Sequence, residues 1–423
     1  MAQSEASRAV EAVWRLESAR IIGALARILR DIDLAEEMAQ EALLAALEQW
    51  PRDGVPPNPG AWLTVIAKRR AIDRLRRLER LERKQLELAQ DLQDKQSALD
   101  DDAAFDEREI NDDVLRLMFI CCHPVLSAEA RVALTLRLLG GLTTREIARA
   151  YLVPEATIAQ RVVRAKRTLA TRGIAIELPS ADERPERLAS VLESLYLVFN
   201  EGYTATSGED WTRPDLCFEA LRLSRILAEL TPQDAEVHGL VALMELQASR
   251  LRARVGPNGE PIGILEQDRG RWDRLLIARG FAALLRAGQT ERAPGPYVLQ
   301  AAIAACHAHA RTAGDTDWPQ IVVLYTALTA LTASPVVRLN RAVAVAMASG
   351  PAEGLALVDE LRSEESLNSY HALPSVRADL LAKLGRHDEA RAEFEQAAAL
   401  AGNAKERAIL LDRAAEQDST SGA

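Results

Sequence analysis

The chain has 423 residues, too many for one ordinary core, so we expect about two to four domains. It is 48% hydrophobic but only 4% aromatic, and 27% of its residues are charged, a composition that favours helices nearly throughout. The net charge of −10 excludes a protein that coats nucleic acid indiscriminately, unless its basic residues are concentrated in particular segments.

The basic residues are concentrated in two segments. Residues 62–84 contain nine Lys or Arg against three acidic residues, and residues 145–172 contain seven against two. Residues 87–113, between them, contain eleven acidic residues against two basic ones. Because this acidic stretch has few apolar anchors, it predicts a flexible linker between two basic blocks.

The cysteines and the apolar runs bear on compartment and cofactors. Four cysteines without disulfide spacing, and a first segment without an apolar signal region, fit a reducing cytoplasm. No run of about 18 apolar residues is present, so we expect no membrane partner. Cys121, Cys122 and His123 are adjacent and cannot all bind one tetrahedral ion. We interpret them as packing residues and expect no metal or cofactor.

The first helical segment is predicted over residues 7–50, with Leu34, Met38 and Leu47 on its buried side. Residues 51–59 contain four prolines and a glycine, which predict a stiff loop without helix. A new helix is predicted from Pro59, with Asn58 as its N-cap.

The new helix carries the first basic block, with two rows of charged side chains beside an apolar side. Such a helix can bind phosphates with one face while the other packs, although a solvated face is also compatible with the pattern. The charged rows are Arg70, Arg74 and Arg77, and Arg69, Asp73 and Arg76, beside apolar Ile66, Ile72 and Leu75.

Residues 142–169 have the layout of a helix-turn-helix, with a turn over 151–157 in which Leu152 stands where a glycine is usual. Polar side chains at the start of the second helix can reach base edges, and basic ones further along can meet phosphates. The alternative is the solvated face of an ordinary helical hairpin. The apolar stripe is Ile158, Val162, Ala165 and Leu169, the base-edge candidates are Thr157, Gln160, Arg161 and Arg164, and the phosphate candidates are Lys166, Arg167 and Arg172.

From residue 186 the chain is again predicted to be helical, and its C-terminal part repeats at a period of about 35 residues. The segments that begin at Arg341 and Arg377 each lead through a glycine, Gly350 or Gly385, to a second helix. This pattern predicts tetratricopeptide-like hairpins. Residues 200–203 end an apolar helix with polar residues and a glycine, and both a helix cap and a functional loop are compatible with them.

Taken in order, three segments resemble the bacterial extracytoplasmic-function sigma factors of the sigma-70 family. They are the acidic stretch at residues 33–41, the basic helix and the helix-turn-helix. The resemblance covers about residues 8–172 and departs at Arg70, where the family usually has Asn. The matching residues are Asp33, Glu36, Glu37, Gln40, Glu41, Ala61, Trp62, Leu63, Ile66, Ala67, Asp73, Arg76, Arg77, Glu146, Ile147, Ala148, Val153, Pro154, Glu155, Thr157, Arg164 and Ala165.

The resemblance implies an all-α fold. Its sigma region 2 domain is expected at residues 1–86, the acidic linker at 87–113 and the region 4 helix-turn-helix domain at 114–172. A second linker at 173–185 would lead to a helical tetratricopeptide-like domain at 186–423. The acidic helix would bind core RNA polymerase, through its beta and beta-prime subunits, with Asp33, Glu36, Glu37, Gln40 and Glu41.

The resemblance also implies contacts with promoter DNA, both duplex and single-stranded. The loop at residues 52–58 corresponds to the segment that receives a flipped-out base. The expected contacts with the downstream, minus-10 element are Arg52, Asn58, Trp62, Lys68, Arg69, Arg70, Asp73, Arg74, Arg76 and Arg77. Those with the upstream, minus-35 element are Glu155, Thr157, Gln160, Arg161, Arg164, Lys166 and Arg167.

The rest of the chain resembles a subgroup with a tetratricopeptide-like C-terminal extension, on residues 119–124, 199–203 and 265–272. We therefore expect a non-enzymatic sigma factor whose extension regulates it, through a protein partner or an intramolecular contact. One rival is a stand-alone helix-turn-helix regulator with a protein-binding repeat domain, which would bind promoters tightly without polymerase. The other is a repeat scaffold or an enzyme, but no catalytic or metal-binding spacing supports catalysis.

Overall fold

The computed structural model confirms the all-helical fold class. It describes two compact units, Met1–Leu197 and Val198–Ala423. Outside the helices, the described backbone forms an isolated antiparallel bridge between Val255 and Pro261. The described residues are 2–83, 107–151, 153–204, 212–257, 260–290 and 293–421.

The first unit contains two groups of helices, each packed within itself. Its helices are α1 (Ala2–Leu29), α2 (Ile32–Asp53), α3 (Pro59–Arg83), α4 (Glu107–Cys121), α5 (Ala128–Leu138), α6 (Thr144–Tyr151), α7 (Glu155–Thr171) and the first part of α8 (Arg184–Tyr203). Helix α1 packs against α2, α3 and α4, while α7 packs against α5 and α6.

The predicted helical segment over residues 7–50 is helical except at a break between α1 and α2, which the sequence analysis did not predict. Arg30 has a φ of 52°, and Asp31 caps α2 by accepting a hydrogen bond from the Leu34 amide at 3.0 Å. The left-handed backbone at Arg30 costs about 1–2 kcal/mol, and an Asp cap contributes about 1 kcal/mol. No glycine or proline marks this break in the sequence.

The proline-rich loop also begins later than predicted. Helix α2 includes Pro51 and ends at Asp53, where Gly54 with a φ of 86° turns the chain. Proline inside a helix removes one backbone donor and crowds the preceding turn, which favours an end of the helix soon after Pro51. The predicted start of α3 is confirmed, because Asn58 Oδ1 accepts a hydrogen bond from the Ala61 amide at 3.1 Å.

Helix α4 begins inside the predicted acidic linker, so the part of the linker that the structure describes is helical. Its Asp113 is buried and forms ion pairs with Arg27 at 2.8 Å and Arg116 at 2.5 Å. Burial raises the pKa of Asp113, and the two arginines offset part of that rise. Gly23 permits this packing, since a Cβ there would lie 2.8 Å from the Asp113 carbonyl oxygen.

The helix-turn-helix layout is confirmed in α6 and α7. The buried residues of α7 are the predicted stripe of Ile158, Val162, Ala165 and Leu169. Helix α6 begins with a capping box, in which the Thr143 amide donates to Glu146 at 2.8 Å and the Glu146 amide donates to Thr143 Oγ1 at 3.1 Å. Leu152, in the turn, lies outside the described residues.

The first part of α8 packs on α4, α5 and the residues between them, although the sequence predicts that the C-terminal domain begins there. Arg187 donates to the Phe119 carbonyl oxygen at 2.9 Å, and Ser190 donates to that of Cys122. Arg131 of α5 bonds Ser190 and pairs with Glu193 at 3.0 Å. The boundary between the two compact units falls after Leu197, inside α8.

The second unit consists of successive helices packed against their neighbours in the chain. After the end of α8 come α9 (Pro214–Leu230), α10 (Ala235–Ala248), α11 (Arg274–Gly288), α12 (Pro296–His309), α13 (Trp318–Leu331), α14 (Pro335–Ser349), α15 (Pro351–Glu360), α16 (Ala372–Lys383), α17 (His387–Leu400) and α18 (Ala404–Ser421). Gly350 and Gly385, the glycines of the predicted repeat, join α14 to α15 and α16 to α17 with φ of 118° and 76°. The helical hairpins are confirmed, and their tetratricopeptide character stays a prediction.

Residues 200–203 are neither a cap nor a loop, because they form the last turn of α8. The Arg254 guanidinium lies 3.6 Å from the ring centroid of Tyr203. The Tyr203 hydroxyl accepts a hydrogen bond from Arg250. Arg250 also lies 5.6 Å from the ring of Trp272, which belongs to the subgroup motif at residues 265–272, as Tyr203 belongs to the one at 199–203. The two motifs thus meet in one cluster of arginines and aromatic rings.

We predict that Gly202→Ala destabilises the second unit by about 1–3 kcal/mol, the usual cost of overpacking. A Cβ at Gly202 would lie 2.6 Å from the Cys217 amide nitrogen and 2.9 Å from the Arg213 carbonyl oxygen, both backbone atoms that cannot move aside freely. Gly288→Ala is the matched control, because a Cβ there meets nothing within 4 Å. Urea unfolding midpoints measure the difference. Equal midpoints for Gly202→Ala and the unmodified chain would contradict this packing.

Candidate nucleic-acid interface

One face of α3 carries a continuous row of exposed basic side chains. Leu63, Ala67, Ala71 and Leu75 are buried at a spacing of four residues, so the opposite side of the helix faces solvent. Within the predicted downstream set, Arg69, Arg70, Asp73, Arg74, Arg76 and Arg77 are exposed, and Trp62 and Lys68 are partly exposed. The predicted charged rows therefore lie on the solvent side.

The N-terminus of α3 and the preceding loop form the other half of this surface. Trp62 makes an edge contact with the buried Trp50 of α2, with ring centroids 5.6 Å apart. Arg52 is exposed in the last turn of α2, and the loop residues 54, 55, 57 and 58 are exposed as well. Asn58 is exposed and uses Oδ1 for its cap, and the nitrogen of the same side-chain amide is a hydrogen-bond donor.

The second helix of the helix-turn-helix also presents a polar face to solvent. Gln160, Arg164 and Arg167 are exposed at a helical spacing, and Thr157 and Arg161 are partly exposed beside them. Glu155 is exposed and accepts a hydrogen bond from the Thr144 hydroxyl at 3.2 Å, which ties the first turn of α7 to α6. This face has the donors and acceptors that read base edges in a major groove.

Lys166 differs from the other predicted DNA contacts, because it is turned toward α2. Its side chain is only 11% exposed, its Nζ lies 2.8 Å from Asp33 Oδ1, and it also pairs with Glu36. Burial alone would lower the pKa of Lys166, but the two carboxylates outweigh burial and raise it. In this structure the charge of Lys166 is directed at the predicted polymerase-binding helix.

The predicted polymerase-binding residues of α2 divide into an exposed and a buried set. Asp33 and Glu37 are exposed, and Glu41 lies 3.5 Å from Arg70 of α3. Glu36 is only 7% exposed and accepts hydrogen bonds from Arg137 Nε at 2.7 Å and from Gln40 at 2.5 Å.

Arg137 is the residue of this site that sequence reasoning missed. It lies in the last turn of α5, where residues 131–136 and 138 are all buried. A charged residue in an otherwise buried helix was the available signal, because such a charge needs a partner.

The Cys121, Cys122 and His123 cluster packs in the core of the first unit, as the sequence predicts. Burial raises the pKa of the Cys121 thiol well above its ordinary value, and Cys122 lies 3.3 Å from the Thr135 hydroxyl. His123 Nδ1 accepts a hydrogen bond from the Val125 amide at 3.0 Å, and burial lowers its pKa to about 4. Among the described residues, no helix is long and apolar enough to cross a membrane, and no cluster of ligands suits a metal ion.

Three family models match the chain in order. Sigma-70 region 2 matches residues 14–81, and sigma-70 region 4 matches residues 116–169. A family of unknown function, DUF6596, matches residues 187–288. The two sigma-70 matches cover the helices that carry the basic faces, and the third crosses the boundary between the units.

Two relatives extend this result. The chain is 32% identical over 161 residues to the ECF RNA polymerase sigma factor SigK of Mycobacterium ulcerans (strain Agy99), covering 36% of this chain and 78% of that protein. The chain belongs to the sigma-70 family of sigma factors, which direct transcription initiation. It is also 47% identical over 403 residues, 94% of each chain, to an uncharacterized protein of Rhizobium meliloti (strain 1021). That similarity runs through both units.

Proposed function

We propose that this protein is an extracytoplasmic-function sigma factor that binds core RNA polymerase through α2, reads promoter DNA through α3 and α7, and is regulated by its second unit. The observation that carries the proposal is the pair of exposed basic faces in one unit, on helices matched by the region 2 and region 4 models. Such a protein supplies specificity, and the polymerase supplies the chemistry.

Opening of the downstream element is the role proposed for α3. Arg74 and Arg77 are exposed on one side of the helix, where they can bind the phosphates of the DNA backbone. The loop at residues 54–58 and Trp62 stand at its N-terminus, a suitable place for an extruded base. Extrusion costs a few kcal/mol, which pocket contacts and stacking on an aromatic ring can offset.

Reading of the upstream element is the role proposed for α7. Arg164 can make a bidentate contact with guanine, and Gln160 can do so with adenine. Arg167 continues the same face toward a phosphate. These side chains are exposed in the structure, so duplex DNA can reach them without rearrangement of the helix.

Polymerase must supply much of the affinity for DNA, because the whole chain has a net charge of −10. The acidic residues Asp33 and Glu37, exposed on α2, suit a complementary basic surface on the polymerase clamp, formed by its beta and beta-prime subunits. A stand-alone regulator would instead bind the promoter tightly without polymerase. One promoter-binding assay, done with and without core enzyme, therefore distinguishes a sigma factor from a stand-alone regulator.

Regulation by the second unit is proposed from its architecture. Hairpins such as α14 with α15 and α16 with α17, repeated 35 residues apart at Gly350 and Gly385, favour a tetratricopeptide-like stack. Stacks of this kind form extended surfaces that hold protein segments. Because the unit is covalently attached, it acts on its own chain or on the bound polymerase at a high effective concentration.

We predict that Arg74→Ala with Arg77→Ala abolishes promoter opening and leaves polymerase binding intact, because the two side chains contact DNA and not protein. The salt dependence of promoter binding should flatten by about two units of log–log slope. Arg252→Ala with Arg274→Ala, which removes two exposed arginines from the second unit, is the control. Permanganate footprinting measures opening. An unchanged footprint in the α3 variant would contradict the role of this face.

We also predict that Glu37→Lys blocks assembly with core polymerase, since a reversed charge facing a basic surface can cost several kcal/mol. Glu48→Lys makes the same change at another exposed position of α2 and should assemble normally. Co-elution of each folded variant with core enzyme is the measurement. Normal co-elution of Glu37→Lys would exclude α2 as the docking helix.

A third prediction concerns the second unit. Ending the chain after Leu197 keeps the hydrogen bonds of Arg187 and Ser190 to α4 and the residues that follow it, so the first unit should stay folded. We expect transcription from a target promoter to fall several-fold, because contacts made by the second unit are lost. Circular dichroism checks folding, and run-off transcription measures output. Identical output from both proteins at equal concentration would show that the second unit is not a regulator.

A further inference from the structure

A groove lies between α9 and α11 in the second unit, with α10 as its floor. Its volume is about 540 Å³, within the range of small-molecule sites. The floor consists of His238, Val241 and Glu245, which share one face of α10 at a spacing of three and four residues. Seven residues of helix span about 10 Å, so the groove has the length of one small molecule rather than of an extended chain segment.

Two arginines lie at one end of the groove, around Glu245. Arg225 of α9 donates from Nε to Glu245 Oε1 at 2.9 Å, and its Nη2 lies 2.7 Å from the same oxygen. Burial raises the pKa of Glu245, and Arg225 and Arg279 offset part of that rise. Gly280 lets α11 approach α10 here, because a Cβ at Gly280 would lie 2.7 Å from Leu246 Cγ. One carboxylate therefore faces two guanidinium groups, and this end of the groove favours a further negative charge.

The buried Glu245 also has an unused hydrogen-bond acceptor. Its side chain is only 2% exposed, and both contacts from Arg225 go to Oε1. Oε2 has no hydrogen-bond partner in the described part of the chain. Buried polar atoms are nearly always paired, so this oxygen needs an explanation. The terminal torsion of a glutamate is broad, and Oε2 can therefore turn to meet a donor that enters the groove.

The middle of the groove is lined by small apolar side chains, one from each helix. They are Ala228 of α9, Val241 of α10 and Ala282 of α11. Each lies three or four residues along its helix from the charged residue at the end of the groove, so the three form one layer beside that end. A layer of this kind leaves room for an apolar group and favours its removal from water.

We propose that this groove binds a small carboxylic acid with a hydrogen-bond donor on its α-carbon, an α-amino or α-hydroxy acid with an apolar side chain. The carboxylate accepts hydrogen bonds from Arg225 and Arg279, because a guanidinium fork matches two carboxylate oxygens. The α-amino or α-hydroxyl group donates to Glu245 Oε2, and the side chain lies along the apolar layer. Glu245 is also a positioning residue, since its Oε1 fixes the Arg225 guanidinium.

The combination of groups excludes simpler ligands. An acid without the α-donor would leave Glu245 Oε2 unpaired beside a second negative charge. An amine without the carboxylate would place a positive charge next to Arg225 and Arg279. Only a ligand that carries both groups satisfies the buried oxygen and the two guanidinium groups together.

Isothermal titration calorimetry of the full-length protein, with leucine and phenylalanine as probes, tests the site. It needs neither polymerase nor DNA, so its outcome is separate from that of the proposed function. We expect saturable one-to-one binding of at least one probe or of its 2-hydroxy analogue, and the two arms distinguish an amino from a hydroxyl donor. 4-Methylpentanoate and 3-phenylpropanoate, which lack the donor, should bind at least about tenfold more weakly.

The amines 3-methylbutylamine and 2-phenylethylamine, which lack the carboxylate, should show no saturable binding. Two results would overturn the proposal. One is that none of the α-substituted acids binds saturably. The other is that a probe and its analogue without the donor or the carboxylate bind with equal affinity.

Arg279→Gln locates the site, because Arg279 is exposed and its loss should leave the fold intact, as circular dichroism checks. We expect binding of the preferred probe to weaken at least about tenfold. Arg274→Gln removes the same charge from an exposed position of α11 outside the groove and should bind normally. If Arg279→Gln does not fold, Ala282→Phe, at another exposed position, fills the apolar layer and should abolish binding. Unchanged affinity in the groove variant would exclude this groove as the site.

Discussion

A carboxylate removed from water must be matched by nearby cations, and Glu36 imposes this condition on the first unit. Taking one such charge out of solvent costs several kcal/mol even after relaxation, so an unpaired Glu36 would be strongly unfavourable. Its own helix supplies only the amide of Gln40, and the cations come from Arg137 and Lys166 of the other domain. The folding of α2 is thereby linked to the position of the helix-turn-helix.

A buried ion pair of this kind differs from an apolar contact in its net stabilisation and in what a broken contact would expose. Its attraction largely offsets a desolvation cost, so the net stabilisation is modest, and both partners become water-soluble when the contact opens. An exposed apolar patch would instead promote aggregation. Helix α3 also separates apolar from charged positions. Its buried positions, such as Ala67 and Ala71, are small, and its charges lie on the side away from the core.

Local patterns predicted the parts of the fold that depend on neighbours in sequence. The cap at Asn58, the stripe of α7 and the glycines between the last hairpins all follow from short-range geometry. The break at Arg30 has no such signal, because its left-handed backbone is held by the surrounding packing rather than by a glycine. Leu47, predicted to be buried, is 38% exposed, because it lies in the same helix as the buried Met38 but about half a turn around the helix axis from it. Sequence analysis missed Arg137 because its partner, Glu36, lies about a hundred residues away in the chain. A sequence pattern contains no distances between residues in space.

The buried cysteines have a consequence for how the protein responds to oxidants. Thiolates, not thiols, react with peroxides, and burial raises the pKa of Cys121 and Cys122 above the ordinary thiol value and that of Cys217 to about 12. Burial raises the pKa of the half-buried Cys306 too. At neutral pH these side chains therefore stay as thiols, which react slowly in the first step of cysteine oxidation. The thiols of the two cores are therefore poor targets for peroxides at neutral pH.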